Sequence, residues 1–177
     1  MPGWWAVLVP LVAMAVAGVL GGALWAWWGQ WGEPAAYTVT RLGEYRTEQQ
    51  LGRFFGVEVR YAVIGLLVSF LVAAALTLWL RRAGWPLVVG VLLGGLVAAG
   101  VAFGVGTALG PPDLVQALAA ATAGDTVPAR LDVQIPALLL AWSVGGLMGL
   151  VLVVSVTDRD RSGHAGGDVR LPELPRG

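Results

Sequence analysis

The chain has 177 residues, of which 57 % are hydrophobic and 12 % charged, and its formal net charge is zero. Soluble domains carry about 25 % charged residues, so this mean hydropathy of +0.75 points to the bilayer as solvent. The balance of 11 basic and 11 acidic residues offers no basic face for nucleic acid, and the absence of cysteine excludes disulfides, thiolate metal sites and cysteine nucleophiles.

The first apolar run spans residues 5–27. Its leading MPGWW has no side-chain charge, the run is too long for the apolar part of a signal peptide, and no A-x-A site follows. It is expected as a retained spanning helix, with Pro10 near the start, where a missing backbone donor does least harm. The loop 28–60 follows. Within it AAYTVTRL alternates like a short strand, and Thr47-Glu48-Gln49-Gln50 reads as a capping box. The second helix would therefore begin well before the membrane and stand about 18 Å above the hydrocarbon, at about 1.5 Å per residue.

The second span covers 61–80 and is stopped by Arg81 and Arg82. Trp85-Pro86 opens the third, 86–109. The connector RRAGW permits only a tight hairpin, so spans two and three are expected to be antiparallel neighbours. In the loop 110–134, Asp113 is a candidate N-cap, LVQALAAATA a short helix ended by Gly124, and RLDVQI a second alternating segment that could pair with the first. The fourth span covers 135–156. Residues 1–157 thus form a four-span membrane domain, and 158–177, rich in Gly, Pro and alternating charge, read as a disordered polar tail. The single histidine, His164, falls in that tail. Trp4, Trp5, Trp25, Trp27, Trp28, Trp31, Tyr61, Trp79 and Trp85 flank the runs, where aromatic rings favour the headgroup level.

The expected fold is all-α: an antiparallel bundle of four transmembrane helices under a small extracytoplasmic cap built from the two loops. Each span carries small residues at period four, including Gly18 and Gly22, Gly65 and Ser69, Gly90 and Gly94, and Gly145 and Gly149. Lipid gives no hydrophobic drive between helices, so small ridges that admit close backbone approach are the natural packing, or dimer-forming, faces. The few hydroxyls inside the spans, Ser69, Thr77, Ser143 and Ser155, are expected to bond local carbonyls.

Four spans place both termini on one side. The positive-inside rule favours that side as cytoplasmic, chiefly because Arg81 and Arg82 fill a very short turn. All basic residues are arginine, compatible with a GC-rich genome. FFGVEVRYAVIGLL, RRAGWPLVVGVLLGGLVAA and the AW before the last span resemble an uncharacterised actinobacterial family of multi-pass membrane proteins, a domain of unknown function, over roughly residues 45–157. The resemblance implies four spans with the same hairpin and supplies no activity, substrate or catalytic residue.

No P-loop, H-E-x-x-H, G-x-S-x-G or metal-ligand cluster occurs, so no catalytic residue, metal or cofactor is implied. The one candidate site is a charged collar, Arg53, Glu58 and Arg60, at the entrance to the second span. Arg53 and Arg60 are about 20° apart around a helix, and Glu58 is roughly 160° from Arg60, so the three form no self-contained ion pair. On one account both arginines reach lipid headgroups while Glu58 stays wet. On the other, Glu58 faces the cap or another helix and pairs with Arg41 or Arg130.

Three functions remain open: a structural or accessory component of the plasma membrane that assembles with itself or an envelope partner, a subunit of a transporter or channel, and an enzyme at headgroup level using Glu58 and Arg60. Membrane lipids are partners in each.

Overall fold

The computed structural model describes residues 4–29, 36–40, 43–45, 48–81, 83–111, 119–122, 125–128, 131, 133 and 135–165. The four apolar runs become helices α1 (Trp5–Gly29), α2 (Glu48–Trp79), α3 (Trp85–Leu109) and α4 (Leu140–Ala165), the last entered through a 3-10 turn at Pro136–Leu139. All four carry stretches long and apolar enough to cross a membrane. Large apolar side chains such as Leu20, Leu71 and Val151 point outward along them, as the lipid-facing side of a multi-pass membrane protein requires.

The long α2 starts at Glu48, one residue after the capping-box threonine, while its candidate span begins only at Phe55. At its far end Gly84 makes the reversal into α3 with φ 67° and ψ −146°, a conformation open to glycine alone. Helix α4 runs past its span through Ala165. Residues 158–165 are thus helical, not the start of a disordered tail. A helix already nucleated in the membrane adds each further residue at little cost, and Asp and Arg tolerate that extension. Residues 166–177 lie outside the described set.

The bundle order is not the chain order. The most extensive contact joins α1 to α3 and the next joins α2 to α4; α3–α4 and α1–α2 close the ring. The hairpin partners α2 and α3 barely touch and lie across the diagonal. They are antiparallel, as the short connector demands, but not neighbours, because the small-residue ridges pair α1 with α3 and α2 with α4. Register shows the directions. Gly90 meets Ala6 and Val7, Gly18 meets Ala98, and Gly22 meets Ala102, so α1 and α3 run parallel. Gly145 meets Leu66 and Gly149 meets Phe70, so α2 and α4 run parallel as well.

At the end away from the termini, the two loops are stitched together. Strands β1 (Ala36–Thr40), β2 (Gly43–Tyr45) and β3 (Thr126–Pro128) form an antiparallel sheet of order β2-β1-β3. The first strand falls within the alternating AAYTVTRL. The second loop contributes TVP rather than the alternating RLDVQI, whose described residues Leu131, Val133 and Ile135 are not strand. Leu131 is instead a plug: buried, it packs against Gly29 and Gly110, at the ends of α1 and α3. Of the expected short helix, Ala119 and Ala120 are helical; Asp113 and Gly124 lie outside the described residues.

Candidate functional site

Helix α2 sorts its residues by face. Val57, Glu58, Tyr61, Ile64, Gly65 and Ser69 are buried, whereas Phe55, Val59, Val63 and Leu67 are exposed. Glu58 lies three residues before Tyr61 and seven before Gly65, so it continues the inward stripe. Only 7 % of it is exposed. The wet carboxylate of the simpler account is therefore overturned: the helix turns Glu58 into the cap end of the bundle. Arg41 and Arg130, its expected partners, lie outside the described residues, as do the capping contacts of Thr47.

Arg60 is half-buried and its Nη1 donates to the carbonyl oxygen of Trp28 at 3.4 Å. Trp28 belongs to the last turn of α1, whose carbonyls have no intrahelical donor. A cation there completes the helix end and meets the negative pole of its dipole, worth about 0.3–1 kcal/mol. Arg60 therefore clasps the end of α1 with one of its N–H donors. Arg53 lies on α2, and its side chain is outside the described residues. Of the described collar side chains, Glu58 turns inward and Arg60 turns to α1.

Below the collar lies an aromatic cluster. Trp25 and Tyr61, expected at the headgroup level, are instead 0 % and 1 % exposed. Trp25 Nε1 donates to Val57 O at 3.0 Å, and Tyr61 Oη donates to Ala99 O at 2.8 Å, across the bundle diagonal. The Trp25 and Tyr61 rings meet edge-on at 5.0 Å, and Trp142 stands 6.2 Å beyond Tyr61. Each indole occupies space that a glycine vacates: Trp25 lies on Gly106, and Trp142 on Gly65 and Gly21. Trp142 Nε1 is buried with no hydrogen-bond partner among the described residues, directly over the α2 backbone at Gly65. Buried Trp N–H groups usually find an acceptor, as Trp25 does in the second lone pair of a helical carbonyl.

The sequence offered a signal for this cluster. Trp25 follows Gly21 and Gly22 by one turn, Tyr61 precedes Gly65 by one turn, and Trp142 precedes Gly145 by one turn. All three share the small-residue face and so point inward. Trp4, Trp5, Trp79 and Trp85 at the terminal end, with Trp27 and Trp28 at the cap end, are exposed and form the aromatic belts. Trp31 lies outside the described residues.

The ridge residues Gly18, Gly22, Gly65, Ser69, Gly90, Gly94, Gly145 and Gly149 each lie against another helix of the same chain. Ser69 Oγ and Thr77 Oγ1 donate to their own helix, at Gly65 O (2.6 Å) and Ala73 O (2.7 Å). Ser143 departs from that expectation: its hydroxyl crosses to Leu92 O of α3 at 3.1 Å. Among the described residues no group of three or more His, Cys, Asp and Glu gathers. The chemistry of the collar is thus that of a helix clasp and one buried carboxylate. Compared with protein-family models, curated proteins and solved structures, the chain matches none of them.

Proposed function

We propose that this protein is an accessory component of a bacterial plasma membrane that holds its loop cap in place for an envelope partner or a second copy. One observation carries the reading: the middle of the bundle is filled by side chains. Met14, Trp25, Tyr61, Ala73, Val91, Ala98 and Trp142 are all 0–1 % exposed. Among the described residues this filling favours a closed bundle over a path through a single copy. The ridges that could have served assembly are consumed within the chain, which leaves the cap and the lipid-facing surface for contact.

The short turn with Arg81 and Arg82 supports cytoplasmic termini and an extracytoplasmic cap. The all-arginine basic set and the resemblance to an actinobacterial family support a bacterial source. The test is cross-linking in native membrane followed by affinity purification in mild detergent and mass spectrometry. A reproducible partner or homo-oligomer, lost when β1 and β2 are replaced by a Gly/Ser linker, is expected. A strictly monomeric species with no cross-linked partner overturns the proposal, and solute flux in liposomes from monomeric protein would favour the transport reading instead.

A further inference from the structure

The diagonal placement of α2 and α3 leaves a wedge at the terminal end, where the hairpin turn joins two helices with little contact between them. A cleft of about 320 Å³ opens there between α2, α3 and α4, within the about 300–1,000 Å³ typical of small-molecule sites. Its floor is apolar: Leu87 and Leu150 are buried, and Val153 is half-buried. Val88 and Val154, at its sides, are 40 % and 44 % exposed, so the cleft opens sideways toward lipid rather than into the bundle.

Its mouth carries the opposite chemistry. Arg81 lines the cleft at the end of α2 and is exposed. Trp79 and Trp85, 75 % and 76 % exposed, place this level at the headgroup boundary. Thr77 and Thr157 add hydroxyls that donate to Ala73 O and Val153 O, leaving their oxygen lone pairs inside the wall. A guanidinium at the interface above an apolar slot matches an amphiphile with an anionic head and a hydrocarbon tail.

We propose that this cleft is a binding site for an anionic phospholipid of the surrounding bilayer. One acyl chain lies against Leu87, Leu150 and Val153, and the phosphate pairs with Arg81. Guanidinium and phosphate geometry favour a charge-assisted contact, and the pairing clamps the otherwise loosely joined α2–α3 turn to α4.

Native mass spectrometry of the detergent-purified protein with phosphatidylglycerol or phosphatidylcholine of identical acyl chains tests the site. Wild type is expected to retain phosphatidylglycerol about five- to tenfold better, because both lipids offer a phosphate but only in phosphatidylcholine does a choline cation offset its charge beside the guanidinium. Arg81→Gln abolishes that preference, while Arg60→Gln, which removes the same charge at the opposite, cap end of α2, leaves it. Val153→Phe, which fills the slot, lowers retention of both lipids. Equal retention of the two lipids by wild type, or an equal loss in the two arginine variants, overturns the proposal. So does undiminished retention by a folded Val153→Phe protein. Arg81 is exposed and Arg81→Gln leaves packing intact, so the arginine comparison decides even if Val153→Phe fails to fold.

Discussion

The two parallel seams of this bundle and its α1–α2 seam are built from different materials. Where α1 meets α3 and α2 meets α4, backbone approaches backbone: a Cβ on Gly18 would stand 2.6 Å from Ala98 O, and one on Gly22 2.5 Å from Ala102 O. Gly145 and Gly149 lie equally close to the Leu66 and Phe70 carbonyls. Where α1 meets α2, side chains do the joining, through Trp25 to Val57 O and Arg60 to Trp28 O; where α3 meets α4, Ser143 to Leu92 O is added beside one close approach, of Gly95 to the Ser143 backbone. The difference teaches how a chain without ionic residues at its centre becomes specific. Dispersion across close-packed glycine seams supplies attraction. Polar side chains at the other seams select one register, since sliding by a turn would strand each donor.

Pro10 shows the first kind of seam at its closest. It leaves Ala6 O without the usual donor, and that carbonyl faces Gly90 of α3. A Cα–H of Gly90 is well placed to offset part of the loss, a weak contact of the kind common where helices nearly touch.

The sharpest way to break the contrast is a methyl-bearing residue in a parallel seam. Gly18→Val must push α1 off α3 and is expected to cost about 3 kcal/mol, the upper part of the overpacking range. Gly100→Val, on the same α3 but facing open space, should change stability by less than about 0.5 kcal/mol. Thermal unfolding in a mild detergent compares the two, and similar losses would remove the seam argument. A smaller effect is expected from Trp25→Phe, which deletes one interhelical hydrogen bond and part of a buried ring: about 2 kcal/mol by the same measurement. Smaller again is Tyr61→Phe. Its ring packing survives and Ala99 O keeps its helical partner, so about 0.6 kcal/mol is expected, the mean for such bonds in membrane proteins.

The smallest effect belongs to the cap. The Asp125 carboxylate accepts hydrogen bonds from the Thr122 backbone N–H and hydroxyl, both at 2.8 Å. These hold its pKa below the ordinary value of 3.8, the backbone bond contributing more than the hydroxyl. A depressed folded pKa means that the turn is favoured above the unfolded value and loses that support as pH falls through the folded one. Hydrogen exchange at the Thr122 amide should therefore show constant protection from neutral pH down to about pH 5 and a decline below about pH 4. Asp125→Asn should flatten that profile. Cap fraying that leaves the spanning helices unchanged would sharpen the separation between cap and bundle.

By itself the sequence determined the solvent, the number of spans and the residues that pack. Length, apolar runs and the cost of a charge in hydrocarbon leave little choice about which segments cross. Period-four small residues mark inward faces wherever helices must approach closely, and the alternation of AAYTVTRL marks a strand without its neighbours. The tertiary structure alone decided which helices are neighbours. A short connector fixes direction but not adjacency, so α2 and α3 could be read as a pair until the ridges were seen to match α1 with α3 and α2 with α4. The same limit applies to single residues. An aromatic near a run's end is equally suited to a headgroup or to a glycine-lined hollow, and only the facing helix distinguishes Trp25 from Trp27. Glu58 and Arg60 show it most directly. One turn of sequence places both at a membrane rim, but it is the end of α1 that captures one and the cap end of the bundle that buries the other.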